Sequence, residues 1–316
     1  MISPLLSRPG AVAADPPDEA VAAHYGDPYR EQRRLAAGEA TVDLSHRPVL
    51  RIAGADRLTW LHSLTTQHLT ALAPGVWTQA LVLSPNGHVE HHLQLVDDGE
   101  AVWAHVEPGT ASGLVAFLDR MRFLMRVEVA DVSADWAVLH ELGIDRLVAR
   151  AALPEVGELA GLWAYEALRV ADRRPRLGVD TDHRTIPNEV GWLTRAVHLD
   201  KGCYRGQETV ARVHNLGRPP RRLVLLHLDG SDSTLPSVGD AVTYEGREVG
   251  RVGTAARHHE LGPIALALVK RQLPDEADVL AGVVPARVDA GPDETPESTA
   301  RVAASVRSSL LRMPRA

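Results

Sequence analysis

KGCYRGQE, residues 201–208, holds the only cysteine of a 316-residue chain. A lone thiol forms no disulfide within the chain, so nothing marks an oxidising compartment. The residues that follow, ETVARV from Glu208 to Val213, predict a helix, with Asn215-Leu216-Gly217 as its stop. Cys203 then falls in a glycine-flanked loop just ahead of a helix N-terminus, where exposed N–H groups favour an anion. Lys201 and Arg205 add positive charge, and the combination favours a thiolate. Gly202 and Gly206 permit positive φ and the close approach of a ligand to the backbone. Two readings of Cys203 stay open: a reactive thiol, or a small buried apolar residue. A nucleophilic cysteine wants a histidine base, and His198 and His214 are near in sequence.

Downstream, Pro219-Pro220 breaks the chain. RRLVLLHLD, DAVTYEG, REVGRVGTAAR and PIALALVKR then read as short strands between Gly and Asp turns. They predict a small C-terminal β-barrel over 219–285. Far upstream, RPVLRIAG reads as a strand, and residues 55–69 as a helix with Asp56 as cap and Leu58, Leu61, Leu64 and Leu69 near one face. WTQALVLS and VEHHLQLV flank the turn Pro85-Asn86-Gly87 as a hairpin. AVWAHVE and RVEVADV read as strands around an amphipathic helix carrying Leu114, Phe117, Leu118 and Met121. This order predicts an α+β unit over 48–132. A second mixed segment covers 133–218. Residues 1–19, rich in Pro and Ala, and the polar stretch 286–316 read as flexible ends.

Hydrophobic residues make up 45% of the chain and charged residues 24%, enough for a proper core. The net charge of −7 argues against a nucleic-acid coat. No apolar run reaches the roughly 18 residues of a membrane span, and the N-terminus is a poor signal peptide. A cytoplasmic protein is expected. No glycine-rich phosphate loop supports nucleotide or NAD chemistry. At period two, His88, Glu90 and His92 share the polar face of a strand, with His91 on the face of Val89, Leu93 and Leu95. Exposed polar alternation accounts for these residues, and no metal site is expected. Arg218, Arg221 and Arg222 around the double proline could neutralise a folate's glutamate tail, although a solvated linker is the commoner explanation.

KGCYRGQE resembles the signature of the YgfZ family, folate-binding proteins of iron–sulfur cluster assembly and repair. These are similar to the T-protein (aminomethyltransferase) of the glycine cleavage system. VDLSHRPVLRIAGADRLTWLHSLTTQHL, LVLSPNGHVEHHL and LRVADRRPRLGVDTDHRTIPNEVGWLTRAVHLDKGCYRGQE follow in the order that the superfamily uses, over about residues 40–270. The resemblance implies an α+β, three-domain cloverleaf around a channel for tetrahydrofolate. Its first domain would be discontinuous (20–47 with 133–218), with 48–132 inserted and the barrel at 219–285. It implies a tetrahydrofolate-binding accessory protein that serves iron–sulfur client or assembly proteins, with Cys203 as the functional thiol. Lys201, Gly202, Tyr204, Arg205, Gly206, Gln207 and Glu208 would shape the site, with Asn86, Arg169 and Glu189 along the folate channel.

Two departures from the T-protein stand out. His91-His92 replaces its Asp-Asp pair, one of which is tied to catalysis. Ala171 replaces the Glu that reads the pterin, for which Asp172 or Glu189 are candidate substitutes. The chain is therefore not expected to be a standard aminomethyltransferase. The rivals are a folate-dependent aminomethyl- or demethyltransferase using His91 or His92, and a folate- or flavin-binding module in which Cys203 is merely structural.

Overall fold

Alternating apolar residues at 77–97 build the first two strands, one edge, of a five-stranded antiparallel sheet. In spatial order its strands are Trp77–Leu83, Val89–Asp97, Ala101–His105, Val49–Ala53 and Glu128–Asp131. Helices Arg57–Leu64 and Ala111–Arg120 cover one face, where Trp60, Leu61, Leu114, Phe117 and Leu118 pack against Leu93 and Leu95. The first helix stops at Leu64, short of the predicted 69. Asp56 stands at its N-cap but makes no side-chain cap bond. Its carboxylate instead takes the Arg126 guanidinium and backbone N–H. The structure described is a computed structural model covering residues 1–289 and 291.

The period-two reading fails at one point in the hairpin. Leu83 pairs with Val89, but Val82 pairs with His91, so Glu90 is an extra residue, a β-bulge. Val89 therefore joins the cluster of Leu81 and Leu83 on the face away from the helices. His92, paired with Leu81, shares that face, while His91, Leu93 and Leu95 face the helices. His88, Glu90 and His92 do not form one polar row.

A second sheet of four strands takes Thr41–Asp43 from before the first sheet and Trp136–Glu141, Ile144–Ala149 and Leu159–Ala160 from after it. Helix Leu162–Ala171 follows. Its Ala167 and Val170 pack on Leu225, Ile264 and Leu266, outer-face residues of a closed six-stranded barrel. That barrel is filled by residues of the opposite parity, such as Val224, Leu226, Ala265 and Ala267. Its last strand, Val284–Asp289, runs past the expected end at 285. The rest of the expected flexible tail, apart from Gly291, lies outside the described residues.

The N-terminal segment, expected to be flexible, packs against the second sheet. Ser3 donates its hydroxyl to Asp43, and Leu5 is buried with Ala137, Leu139 and Leu153. Asp18 is buried between Arg176 and His46. A Pro/Ala-rich composition conceals this because one apolar anchor and one paired carboxylate are enough to order the segment. Among the described residues no helix is long and apolar enough to cross a membrane.

Candidate functional site

The KGCYRGQE loop is fixed by a steric lock. Helix Gln207–Leu216 starts after Gly206, which stands at φ +80°. A Cβ on Gly206 would lie 2.5 Å from the Ser84 carbonyl oxygen and 2.9 Å from the Gly87 Cα. Gly87, at φ +81°, has no room for a side chain either, because Thr209 stands 2.7 Å from where its Cβ would be. Two glycines thus let the loop sit against the turn that carries Asn86. Asn86 itself is exposed at its tip. Gly202, expected to need the same freedom, has open space around it and no positive φ.

Within the loop, Cys203 is exposed, which removes the reading of a buried packing residue. The two cations expected to favour its thiolate are committed elsewhere. Lys201 is buried, and its ammonium donates to the carbonyls of His62, Thr65 and Gln67 at the end of helix Arg57–Leu64. Burial pushes Lys201 down to about 8, so it is protonated at neutral pH and complements that helix C-terminus. Arg205 pairs with Glu90 at 3.1 Å, the residue that the bulge turns outward. His198 meets His68 edge to face, ring centroids 5.2 Å apart. Tyr204 is buried with Trp192, Val190 and Leu83, and burial raises its hydroxyl to about 12. Gln207 gives its N–H to the Tyr204 carbonyl, and Glu208 pairs with Arg212 on the exposed helix face.

Trp192 links this loop to a cavity of about 180 Å³ between the two sheets. Its ring lies 4.7 Å from that of His92, which also lines the cavity and bonds Gln79 at 3.0 Å. Burial pushes His92 down to about 4, so the imidazole is neutral at pH 7. Trp77 and Tyr165 supply further aromatic walls. Two carboxylates face the space. Asp145 bridges His105 Nε2 at 2.8 Å and His140 Nδ1 at 2.6 Å. Burial raises its pKa, but these hydrogen bonds prevail and hold it well below the usual carboxylate range. Glu107 meets Arg176 at 2.8 Å and Arg47 at 3.4 Å. Burial again opposes ionisation, and the two arginines outweigh it, bringing Glu107 down to about 2.

Behind the cavity the ionic chain continues. Arg176 also holds Asp18 at 2.7 Å and Glu166 at 3.4 Å. Arg169 bonds Glu166, Asp180 at 2.8 Å, and the Thr254 hydroxyl of the barrel. The network joins the N-terminal segment, both sheets and the barrel.

Of the residues expected along a folate channel, Arg169 lines this cavity, while Glu189 and Asn86 do not. Glu189 is buried against Arg221, which also grips Asp182. Arg221 is therefore not a solvated linker residue. Arg222 is likewise paired, to Asp275. Ala171 packs toward the barrel, and Asp172 is exposed beside Arg174, so neither Asp172 nor Glu189, the candidate substitutes for the missing Glu, lines this cavity. Sequence reasoning missed Glu107, Asp145, Arg47, Tyr165 and Arg176. The only local signal was HVE, where His105 and Glu107 share one face at the end of a strand. His91 faces Gly113 of helix Ala111–Arg120, away from the cavity. Among the described residues no group of three or more His, Cys, Asp or Glu is arranged to hold a metal.

No family model matches the chain. A mitochondrial iron–sulfur cluster assembly factor IBA57 homologue of Mycosarcoma maydis is 25% identical over 223 residues, 57% of this chain and 55% of that protein. The chain thus spans about half the length of that relative. An aminomethyltransferase of Moorella thermoacetica is 25% identical over 304 residues, 78% of this chain and 82% of that protein. The tRNA-modifying protein YgfZ of Aliivibrio fischeri is 29% identical over 120 residues, 36% of each chain. The crystal structure of glycine cleavage system aminomethyltransferase T from Bartonella henselae matches with a TM-score of 0.74 at 16% identity, covering 91% of this chain and 95% of that one. The fold is therefore the α+β aminomethyltransferase type with its C-terminal barrel. In sequence the chain is thus similar to YgfZ, to an IBA57 homologue and to aminomethyltransferases, and in fold to aminomethyltransferase T.

Proposed function

We propose that the chain is a tetrahydrofolate-binding accessory protein in iron–sulfur cluster assembly or repair, acting in the cytoplasm, with Cys203 as its functional thiol. The observation that carries the reading is the cavity, in a chain whose relatives bear the names YgfZ and IBA57. Its residues fit a pterin. Trp77, Tyr165 and Trp192 offer π-faces, and Glu107 and Asp145 offer carboxylates to an amidine edge. Arg47 Nε and His105 Nδ1 are buried without a hydrogen-bond partner among the described residues, and a polar ring edge would satisfy such atoms. At about 180 Å³ the cavity is smaller than the roughly 300 Å³ at which pockets enclose a drug-sized ligand. It would take the bicyclic ring and leave the remainder of a folate at the mouth.

Bound there, tetrahydrofolate would supply a reduced ring able to carry a one-carbon unit. The chain's own residues orient that ring and exclude water from one side of it, while Cys203 stays outside, exposed to a protein partner. A second reading, aminomethyl or demethyl transfer, has one feature in its favour: His92 offers a neutral imidazole to the cavity as a proton acceptor. Formation of methylene-tetrahydrofolate from an aminomethyl donor, with release of ammonia and the donor's carrier, would establish it.

Calorimetry with 5-formyltetrahydrofolate tests the cavity. Binding should weaken about tenfold or more, the equivalent of ~1.4 kcal/mol, in Tyr165→Ala and in Asp145→Asn. Absence of binding by the wild type would overturn the folate reading.

A further inference from the structure

Helix Ala111–Arg120 ends in a turn whose side chains split two ways. Met121 and Met125 lean onto the core of the first sheet. Between them Phe123 is 81% exposed and Leu124 99% exposed. Phe123 also holds φ +46°, a backbone region that is unfavourable for a bulky residue. The Met125 N–H closes the turn on the Arg122 carbonyl at 2.9 Å, and the Phe123 and Leu124 side chains are left in solvent. Arg120 and Arg122 are exposed beside them, and among the described residues no carboxylate pairs with either. On a chain of net charge −7 this cationic, apolar tip is a local exception.

The tip also lies on the helix that borders the thiol loop. The Arg205 guanidinium sits 5.7 Å from the ring centroid of Phe117, and Arg205 is two residues from the exposed Cys203. From Phe117 the helix rises only about 4.5 Å to Arg120. A body large enough to meet Cys203 is therefore within reach of the tip.

We propose that Phe123 and Leu124, with Arg120 and Arg122, form a docking surface for a protein partner that presents an apolar pocket edged by carboxylates. Two adjacent apolar side chains entering a pocket are typical interface anchors, and the arginines select an acidic rim. An anionic lipid surface is the other cationic-apolar match, but two arginines and two apolar side chains fall short of the polybasic cluster or broad apolar face that membrane attachment takes. That the partner is an iron–sulfur carrier or client rests on the function proposed above.

The test uses the full chain in cells, with a photo-crosslinking benzoylphenylalanine at position 124, at position 202 in the thiol loop, or at position 283. Val283 is 84% exposed on the barrel and serves as the control. One and the same protein should cross-link from 124 and 202 but not from 283. Its adduct from 202 should fall about tenfold in Phe123→Ser and in Arg120→Glu/Arg122→Glu, the loss of a dominant anchor. The proposal is overturned if 124 cross-links no more than 283, if 124 and 202 capture different proteins, or if the adduct from 202 survives both variants. Sedimentation of the wild type, but not of Phe123→Ser, with phosphatidylglycerol vesicles would overturn it in favour of a membrane. If the shared partner has no part in iron–sulfur assembly, the function proposal fails while the docking surface stands.

Discussion

The thiol loop and the central cavity are held by opposite means. The loop is eight consecutive residues locked against a hairpin turn by two glycines that admit no side chain. The cavity is assembled from residues as far apart as Arg47 and Trp192, backed by buried ion pairs and hydrogen bonds that reach Asp18 and Thr254. The first depends on local backbone sterics, which a sequence displays. The second depends on which charges the folded chain brings together, which no short stretch displays. The difference also sets how each should fail.

The cavity should break hardest. Arg176→Met leaves Asp18, Glu107 and Glu166 facing one another without their shared cation, and removing one partner of a buried pair costs about 3–5 kcal/mol. Urea unfolding measures this, and a loss below ~1 kcal/mol would show that the network is solvated. The loop should break through its backbone. Gly206→Ala combines positive φ with a Cβ 2.5 Å from a carbonyl oxygen, and should cost about 2–3 kcal/mol. Gly202→Ala, with open space around it, should stay within ~0.5 kcal/mol. Equal losses at the two glycines would contradict the lock.

Acid sharpens the contrast. His91 and His92 are pushed from 6.5 to about 4 by burial. The unfolded chain therefore binds more protons between those values, and stability should fall as the pH drops from 6.5 towards 4. Glu107, lowered from 4.5 to about 2, contributes stability above pH 4.5 that is lost as the pH falls through 2. In a denaturation series against pH, Glu107→Gln should flatten the lower part of the curve and His91→Leu the upper part. His91 Nδ1 is buried without a partner among the described residues. His91→Leu should therefore also raise neutral-pH stability, by up to about 1 kcal/mol. Destabilisation would mean that His91 has a partner in solution.

Much of the fold was legible. The strands, the two helices of the first sheet and the barrel follow from apolar periodicity and Gly or Pro punctuation, and KGCYRGQE marked the loop. One inserted residue, Glu90, was not legible, and it moved His92 from an exposed row to the cavity wall. Composition also misread the N-terminus, since it says nothing of the partners waiting for Leu5 and Asp18. The cavity carboxylates were missed for the same reason. Asp145 and Glu107 look like ordinary charges until His140, His105, Arg47 and Arg176 surround them. Lys201 was assigned to the thiol by sequence proximity, yet three carbonyls of a distant helix end claim it.

The most direct test of the proposed function is complementation of a deletion strain with wild type and Cys203→Ala at matched protein levels, scoring a cluster-dependent enzyme. Because Cys203 is exposed, the variant should keep its fold and its melting temperature. The account predicts that it fails to restore the enzyme while the wild type succeeds. Full rescue by Cys203→Ala would contradict the account and leave the loop as a structural turn beside the cavity.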